Sequence, residues 1–373
     1  MSLPQNVTSL FPAAAEGVYL NSAAEGLFLT SHLQAMQLYA SLKGQGSIGR
    51  PALGAIEDQA RGLAASLLDV ESRDIAFLAS TSRGMDVALR SVDWKPGDNV
   101  VFGDGEFPTV AFAAGLLAAR GVEQRVVAMQ GEIITEADIV AAIDEHTRLV
   151  VVSLVSYKNG QRLDVHWITE RAHERGALVF VDAVQALGTV QVSARGLDFL
   201  SAGTFKWLLG SHGVSIFYAS PDLPGSLSAP YVGYRGVQEL FPSGGPSTVA
   251  LWPDARRFEE GMPNHLGICV LANALRFVLD VGVAEIEEHN LALVARTQEG
   301  LGHLGIAVLG GAASATGSIV AFETERFAEI DRHLARLGTT VWARQGRVRI
   351  SPHVYNTTED IDTLLQQLGE LNP

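Results

Sequence analysis

Short runs of β-branched and aliphatic residues recur through the middle of the chain. Between them lie stretches in which apolar residues return every three or four positions. The runs at 99–102, 125–128, 149–155, 177–181 and 214–218 predict strands, and the stretches 110–120 and 166–175 predict amphipathic helices. Another run at 75–78 opens into a helix, and a further short strand leads into 198–207. Continuous apolar runs separated by helices are what parallel strands covered on both faces require. The expected fold class is therefore α/β, with a mostly parallel central sheet.

The pattern changes after Tyr218. Residues 220–247 are rich in Pro, Gly and Ser with little periodicity, so they predict a long loop. Residues 265–300 predict one or two long helices. The remainder predicts a strand at 318–322, a helix at 326–337, strands at 339–343 and 347–350, and a last helix at 358–371. That is a smaller α+β unit. The division expected is an N-terminal segment at 1–15, a large domain at 16–250 and a small C-terminal domain at 251–373. Gly300, Gly302 and Gly305 match a dinucleotide-binding glycine pattern, but the pattern around them is helix then strand. A nucleotide fingerprint needs the reverse order, so these glycines are expected to end a helix.

At 373 residues the chain exceeds what one hydrophobic core usually supports. Hydrophobic residues at 47% against 18% charged allow a large core. The formal charge of -14 disfavours nucleic acid as a partner, so an anionic ligand must be held by local groups. Cys269 is the only cysteine, which rules out an internal disulfide and fits a reducing compartment. No basic segment followed by an apolar run opens the chain, and no stretch approaches the length needed to span a bilayer. A cytoplasmic protein with no membrane partner is expected.

Four segments carry candidate chemistry, each at the carboxyl end of a predicted strand, where open α/β sheets bind ligands. Asp182 follows the run 177–181, with Gln185 three residues on. An acid there suits a buried cation, although a helix cap is the plainer reading. Lys206 lies in an apolar, small-residue segment followed by Trp207. Desolvation favours the neutral amine that a Schiff-base nucleophile needs; the alternative is a lysine reaching to the surface. Ser80, Thr81, Ser82, Arg83 and Gly84 open a helix and form a candidate phosphate cup, or simply a cap. Glu106 and Phe107 follow a strand, where an aromatic ring could lie on a planar ligand or merely pack in the core.

Taken together, these segments resemble the fold-type I, class V superfamily of pyridoxal-phosphate (PLP) aminotransferases and cysteine desulfurases, in its kynureninase- or epimerase-like, non-desulfurase branch. The resemblance spans nearly the whole chain. It includes Tyr19 to Ala24, the Ser80 cup, Phe107, Asp182 with Gln185, Lys206-Trp207, Phe258 to Asn264, and Arg349 to Thr357. It implies a PLP-dependent transferase fold with a large mostly parallel-sheet domain and a smaller C-terminal α+β domain. It implies PLP as the cofactor, no metal, a small amino acid as substrate, and a homodimer. Lys206 would hold the cofactor as an internal aldimine and move the α-proton. Asp182 would pair with the ring nitrogen, Gln185 with the phenolic oxygen, and Thr81 and Ser82 with the phosphate. Phe107 would stack on the ring and Arg349 would clamp the substrate carboxylate. Asn21 and Tyr157 stand where relatives touch substrate or cofactor.

Three departures bear on the reaction. Met262 replaces the threonine whose hydroxyl reaches the partner subunit's phosphate in the family. Gly203 and Phe205 replace a small polar residue and a histidine of the desulfurases. The segment 310–347 lacks the cysteine with which desulfurases take up sulfur. The expected activity is therefore transamination of an amino acid. The alternatives are a PLP-dependent lyase or epimerase acting at Cα, Cβ or Cγ, and a non-catalytic regulatory or binding protein on the same fold.

Overall fold

The computed structural model describes all residues except 1–6, 225–226, 228, 231, 242, 244–248, 311–315 and 372–373. The centre is a seven-stranded sheet in the order β2-β8-β7-β6-β5-β3-β4. Its strands are β2 (Ile75–Leu78), β3 (Asn99–Gly103), β4 (Glu123–Val127), β5 (Thr147–Ser153), β6 (Leu178–Asp182), β7 (Phe199–Gly203) and β8 (Ser215–Ala219). Alternate residues of one strand serve opposite faces. Val150 and Val152 of β5 join one core cluster, while Leu149 and Val151 join the other. Each such side chain contributes about 1.5–3 kcal/mol on full burial, which is why these strands read as unbroken apolar runs.

One expectation is corrected. The run at 214–218 was read with the parallel strands, but β8 runs antiparallel to both β7 and β2. The connection 204–214 holds no helix and is too short for a crossover, so the chain turns back on itself. That turn carries Lys206.

On the sheet's two faces lie α2 (Arg50–Leu68), α3 (Thr81–Ser91), α4 (Thr109–Gly115), α5 (Glu136–Ala141) and α6 (Val165–His173), with α1 (His32–Gly44) packed outside. The predicted helix 110–120 finishes as a 3-10 segment, Leu116–Arg120. Residues 265–300 form two helices, α7 (His265–Val281) and α8 (Val283–His303), bent by 77° at Gly282. Gly300 and Gly302 belong to α8, and Gly305, with φ 76°, follows its end, so the glycine trio terminates a helix. Among the described residues no single helix is long and apolar enough to cross a membrane.

The C-terminal part has a three-stranded antiparallel sheet of β9 (Val320–Glu323), β11 (Trp342–Arg344) and β12 (Arg347–Ile350), in the order β11-β12-β9. It packs on α8, α9 (Phe327–Arg336) and α10 (Thr358–Gly369) around Leu293, Ile330, Val348, Ile350 and Leu364. The predicted strand 339–343 is divided. Its first half, β10 (Thr339–Thr340), pairs in parallel with β1 (Val18–Tyr19) near the start of the chain, and its second half is β11. Further links bind the two ends: Asn21 bridges Ser351, and the hydroxyls of Ser22 and Tyr355 are 2.6 Å apart. The predicted loop 220–247 lies partly outside the described residues. Its described part holds turns and a single bridge, Val237 to Leu251.

Candidate active site

The carboxyl ends of β2, β3, β5, β6 and β7 open onto one cavity of about 190 Å³. Thr81, Ser82, Phe107, Tyr157, Asp182, Gln185 and Lys206 all line it, although they come from five separate segments of the chain. Asn21 is not among the lining residues; its Oδ1 is buried without a hydrogen-bond partner. Arg349 does not line the cavity either, but its charge acts on Lys206.

At the α3 end, Ser80 caps the helix by accepting from the Arg83 backbone N–H at 3.2 Å. Ser80, Thr81 and Ser82 line the cavity at this helix start, with the helix dipole behind them. Thr81 Oγ1 is buried and has no partner. An orphaned buried hydroxyl is costly unless something binds it. Ser82 Oγ lies 3.5 Å from Thr109 Oγ1 across the mouth. Phe107 is 47% exposed, and its ring meets Tyr157 edge-on at 5.4 Å.

Asp182 ends β6, and its Oδ1 accepts from the Val184 backbone N–H at 2.9 Å. Burial raises its pKa, opposed by that hydrogen bond and by the positive charge of Lys206. Lys206 lies in the turn between β7 and β8. Burial lowers its pKa to about 8, helped by the charge of Arg349 and opposed by Asp182 and Glu25. A lysine poised there is partly neutral at physiological pH.

Arg349, on β12, is almost fully buried, and burial lowers its pKa to about 10. Its Nη1 donates to the Tyr157 carbonyl at 2.9 Å, its face lies 5.2 Å from the Trp342 ring, and its Nε has no partner. Among the described residues it makes no ion pair with a surface carboxylate such as Glu359.

The sequence reading left two members of the site without a role. Glu106 accepts from the Ser153 backbone N–H at 2.8 Å and from the Ser153 hydroxyl. Burial raises its pKa to about 7 against those bonds, with Asp182 adding to the rise. Its position before Phe107 at a strand edge was the available signal. Trp207, next to Lys206, is wholly buried. Met262 is 56% exposed and lines a separate cleft with Glu260 and Asn264.

Residues 18–364 match the aminotransferase class-V family. This chain belongs to that family. It is a PLP-dependent enzyme of the class V, fold-type I kind. An uncharacterized aminotransferase of Bacillus subtilis (strain 168) is 27% identical over 370 residues, covering 98% of each chain. A probable cysteine desulfurase of Methanothermobacter thermautotrophicus is also 27% identical, over 401 residues and 98% of each chain. Among solved structures, the apo cysteine desulfurase of Thermococcus onnurineus NA1 superposes with a TM-score of 0.89 at 24% identity, covering 100% of this chain and 98% of that one.

Proposed function

We propose that this enzyme is an aminotransferase acting on a small amino acid, with Lys206 as its catalytic residue. The observation that carries the reading is the pairing across one cavity of a lysine held near pH 8 with a buried acid, Asp182. The residues suit PLP. Thr81 Oγ1 is an unpartnered hydroxyl at a helix N-terminus, as a phosphate needs, and Asp182 makes no ion pair within 4 Å among the described residues. PLP, when bound, supplies an electron sink for charge developing at the substrate's α-carbon.

Each residue then has a task. Lys206 Nζ would attach the cofactor and would take up the substrate's α-proton. The Asp182 carboxylate would hold a proton on the ring nitrogen, and Gln185 would donate to the phenolic oxygen. Thr81, Ser82 and the first N–H groups of α3 bind the phosphate. Phe107 covers one face of the ring. Arg349 binds the substrate carboxylate through its open Nε side, with Tyr157 and Asn21 beside it.

Sulfur transfer is disfavoured. Cys269 is the only cysteine in the chain; it is buried in α7, and burial raises its pKa. A buried, protonated thiol is a poor nucleophile. The test is a half-reaction screen in which each amino acid is mixed with the purified protein while the cofactor spectrum and released products are followed. Conversion to the pyridoxamine form is expected. Release of ammonia or sulfide without that conversion would establish a lyase, and racemisation alone an epimerase.

The same proposal includes the division into a cofactor domain over 16–250 and a small domain over 251–373, cytoplasmic residence and a homodimer. Fold-type I sites are completed at a subunit interface, and exposed apolar residues along α1, among them Leu33, Met36 and Leu38, supply a surface to cover. Sedimentation at assay concentration should give twice the monomer mass. A fully active monomer would refute the dimer.

A further inference from the structure

We infer that Trp207 is a positioning residue: its indole N–H fixes the orientation of the Gln185 carboxamide, so that the cofactor cavity is offered a donor from that side. The inference rests on the proposed cofactor site and adds to it a residue that does not line the cavity.

The argument is one of donors and acceptors. The Trp207 indole Nε1–H donates to Gln185 Oε1 at 2.7 Å. Gln185 Nε2 in turn donates to the Ala23 carbonyl at 3.1 Å. An indole nitrogen can only donate and a carbonyl can only accept. A carboxamide turned by 180° would set N–H against N–H and oxygen against oxygen, and Gln185 and Trp207 are both buried. The two contacts therefore select one orientation. Nε2 carries two hydrogens, one of which goes to Ala23. The other remains for the cavity, whose wall includes Gln185.

Trp207 is itself held on two sides. The His353 Nε2–H donates to its carbonyl at 3.0 Å, and the two rings meet edge-on at 5.3 Å. His353 is fully buried, and burial lowers its pKa to about 3, so it is neutral and its Nε2 carries the proton for that bond. Gly188 leaves room for the same carbonyl: a Cβ there would come within 2.6 Å of its oxygen, and the φ of 100° would strain a side chain besides. The backbone at Trp207 is thus held in place, and its wholly buried indole packs edge-on against the His353 ring.

The test replaces Trp207 alone with its isostere β-benzothienylalanine, in which sulfur takes the place of the N–H. The packing is kept and only the donor is lost. Borohydride reduction and peptide mapping first establish that PLP is attached at Lys206. The pH at which the bound cofactor's long-wavelength band half-titrates is then measured. A phenolic oxygen with a weakened donor holds the proton it shares with the Lys206 nitrogen more tightly. The midpoint should therefore rise, by about one pH unit, while PLP affinity changes little. Trp207→Phe should move the midpoint in the same direction. A label found elsewhere than Lys206 overturns the functional reading and this inference with it. A label on Lys206 with an unchanged midpoint in the benzothienyl protein overturns this inference alone.

Discussion

Lys206→Ala is expected to lower turnover at least about a thousandfold, because it removes both the attachment point and the group that moves the proton. The fold should survive the change. No carboxylate comes within ion-pair distance of Nζ among the described residues, so the variant loses a partly desolvated cation and little packing. Its melting temperature should stay level or rise. Borohydride should no longer fix PLP to the peptide that contains position 206. In the wild-type protein freed of cofactor, the rate of PLP uptake should increase as pH rises through about 8 and then level off, because only the neutral amine attacks the aldehyde. A variant that still turns over at the wild-type rate, or a label on another lysine, would remove the centre of the mechanism.

Arg349→Lys is the second change with a large expected effect. Desolvation lowers the Arg349 pKa only to about 10, so the guanidinium stays charged at neutral pH. One nitrogen is spent on the Tyr157 carbonyl, while Nε is open. A buried cation without an anionic partner is costly in a resting protein, and a substrate carboxylate supplies that partner. Lysine keeps the charge but cannot make two parallel bonds. Hydrogen bonds to charged groups are worth about 1.5–3 kcal/mol, so the substrate KM should rise by about ten- to a hundredfold. PLP content should hold, since the cofactor contacts proposed are those of Lys206, Thr81 and Ser82 and not of Arg349. Unchanged kinetics would leave Arg349 a structural residue. Lost cofactor without a KM effect would move it into the cofactor's surroundings.

The parts of this molecule that could be read from the chain were those where local chemistry and global placement coincide. Apolar runs with two buried faces located β2, β3, β5 and β6 to within a few residues, whereas the strand expected to lead into 198–207 was given no bounds and β7 lies within that segment. An acid, a lysine and a hydroxyl cluster beyond such runs located the cavity wall. The direction of β8 could not be read, because an antiparallel strand buried on both faces has the same composition as a parallel one. Helix α1 carries no apolar stripe, with only His32 buried, so it has no periodicity to detect. Helix α2 turns Glu57 and Arg61 inward, where they form a buried ion pair at 2.9 Å, and polar residues on an inward face disguise an amphipathic helix. Glu106 and Trp207 were visible as residues, but their hydrogen bonds to Ser153 and Gln185 were not, because those partners lie far from them in sequence.

The pairing of β1 with β10 sets the order in which a growing chain can become competent. Residues 18–22 are made long before their partners; Ser22 and Tyr355 are 333 residues apart. Closing so long a loop is slow and becomes possible only once those partners have been made. The strands that flank the turn bearing Lys206, β7 and β8, are made well before then, although His353, which holds the Trp207 carbonyl, is not. A nascent chain thus acquires its reactive amine early and its guanidinium late, when β12 docks. With the roles proposed for Lys206 and Arg349, such a chain holds its cofactor's attachment point before it has the means to recognise an amino acid by its carboxylate.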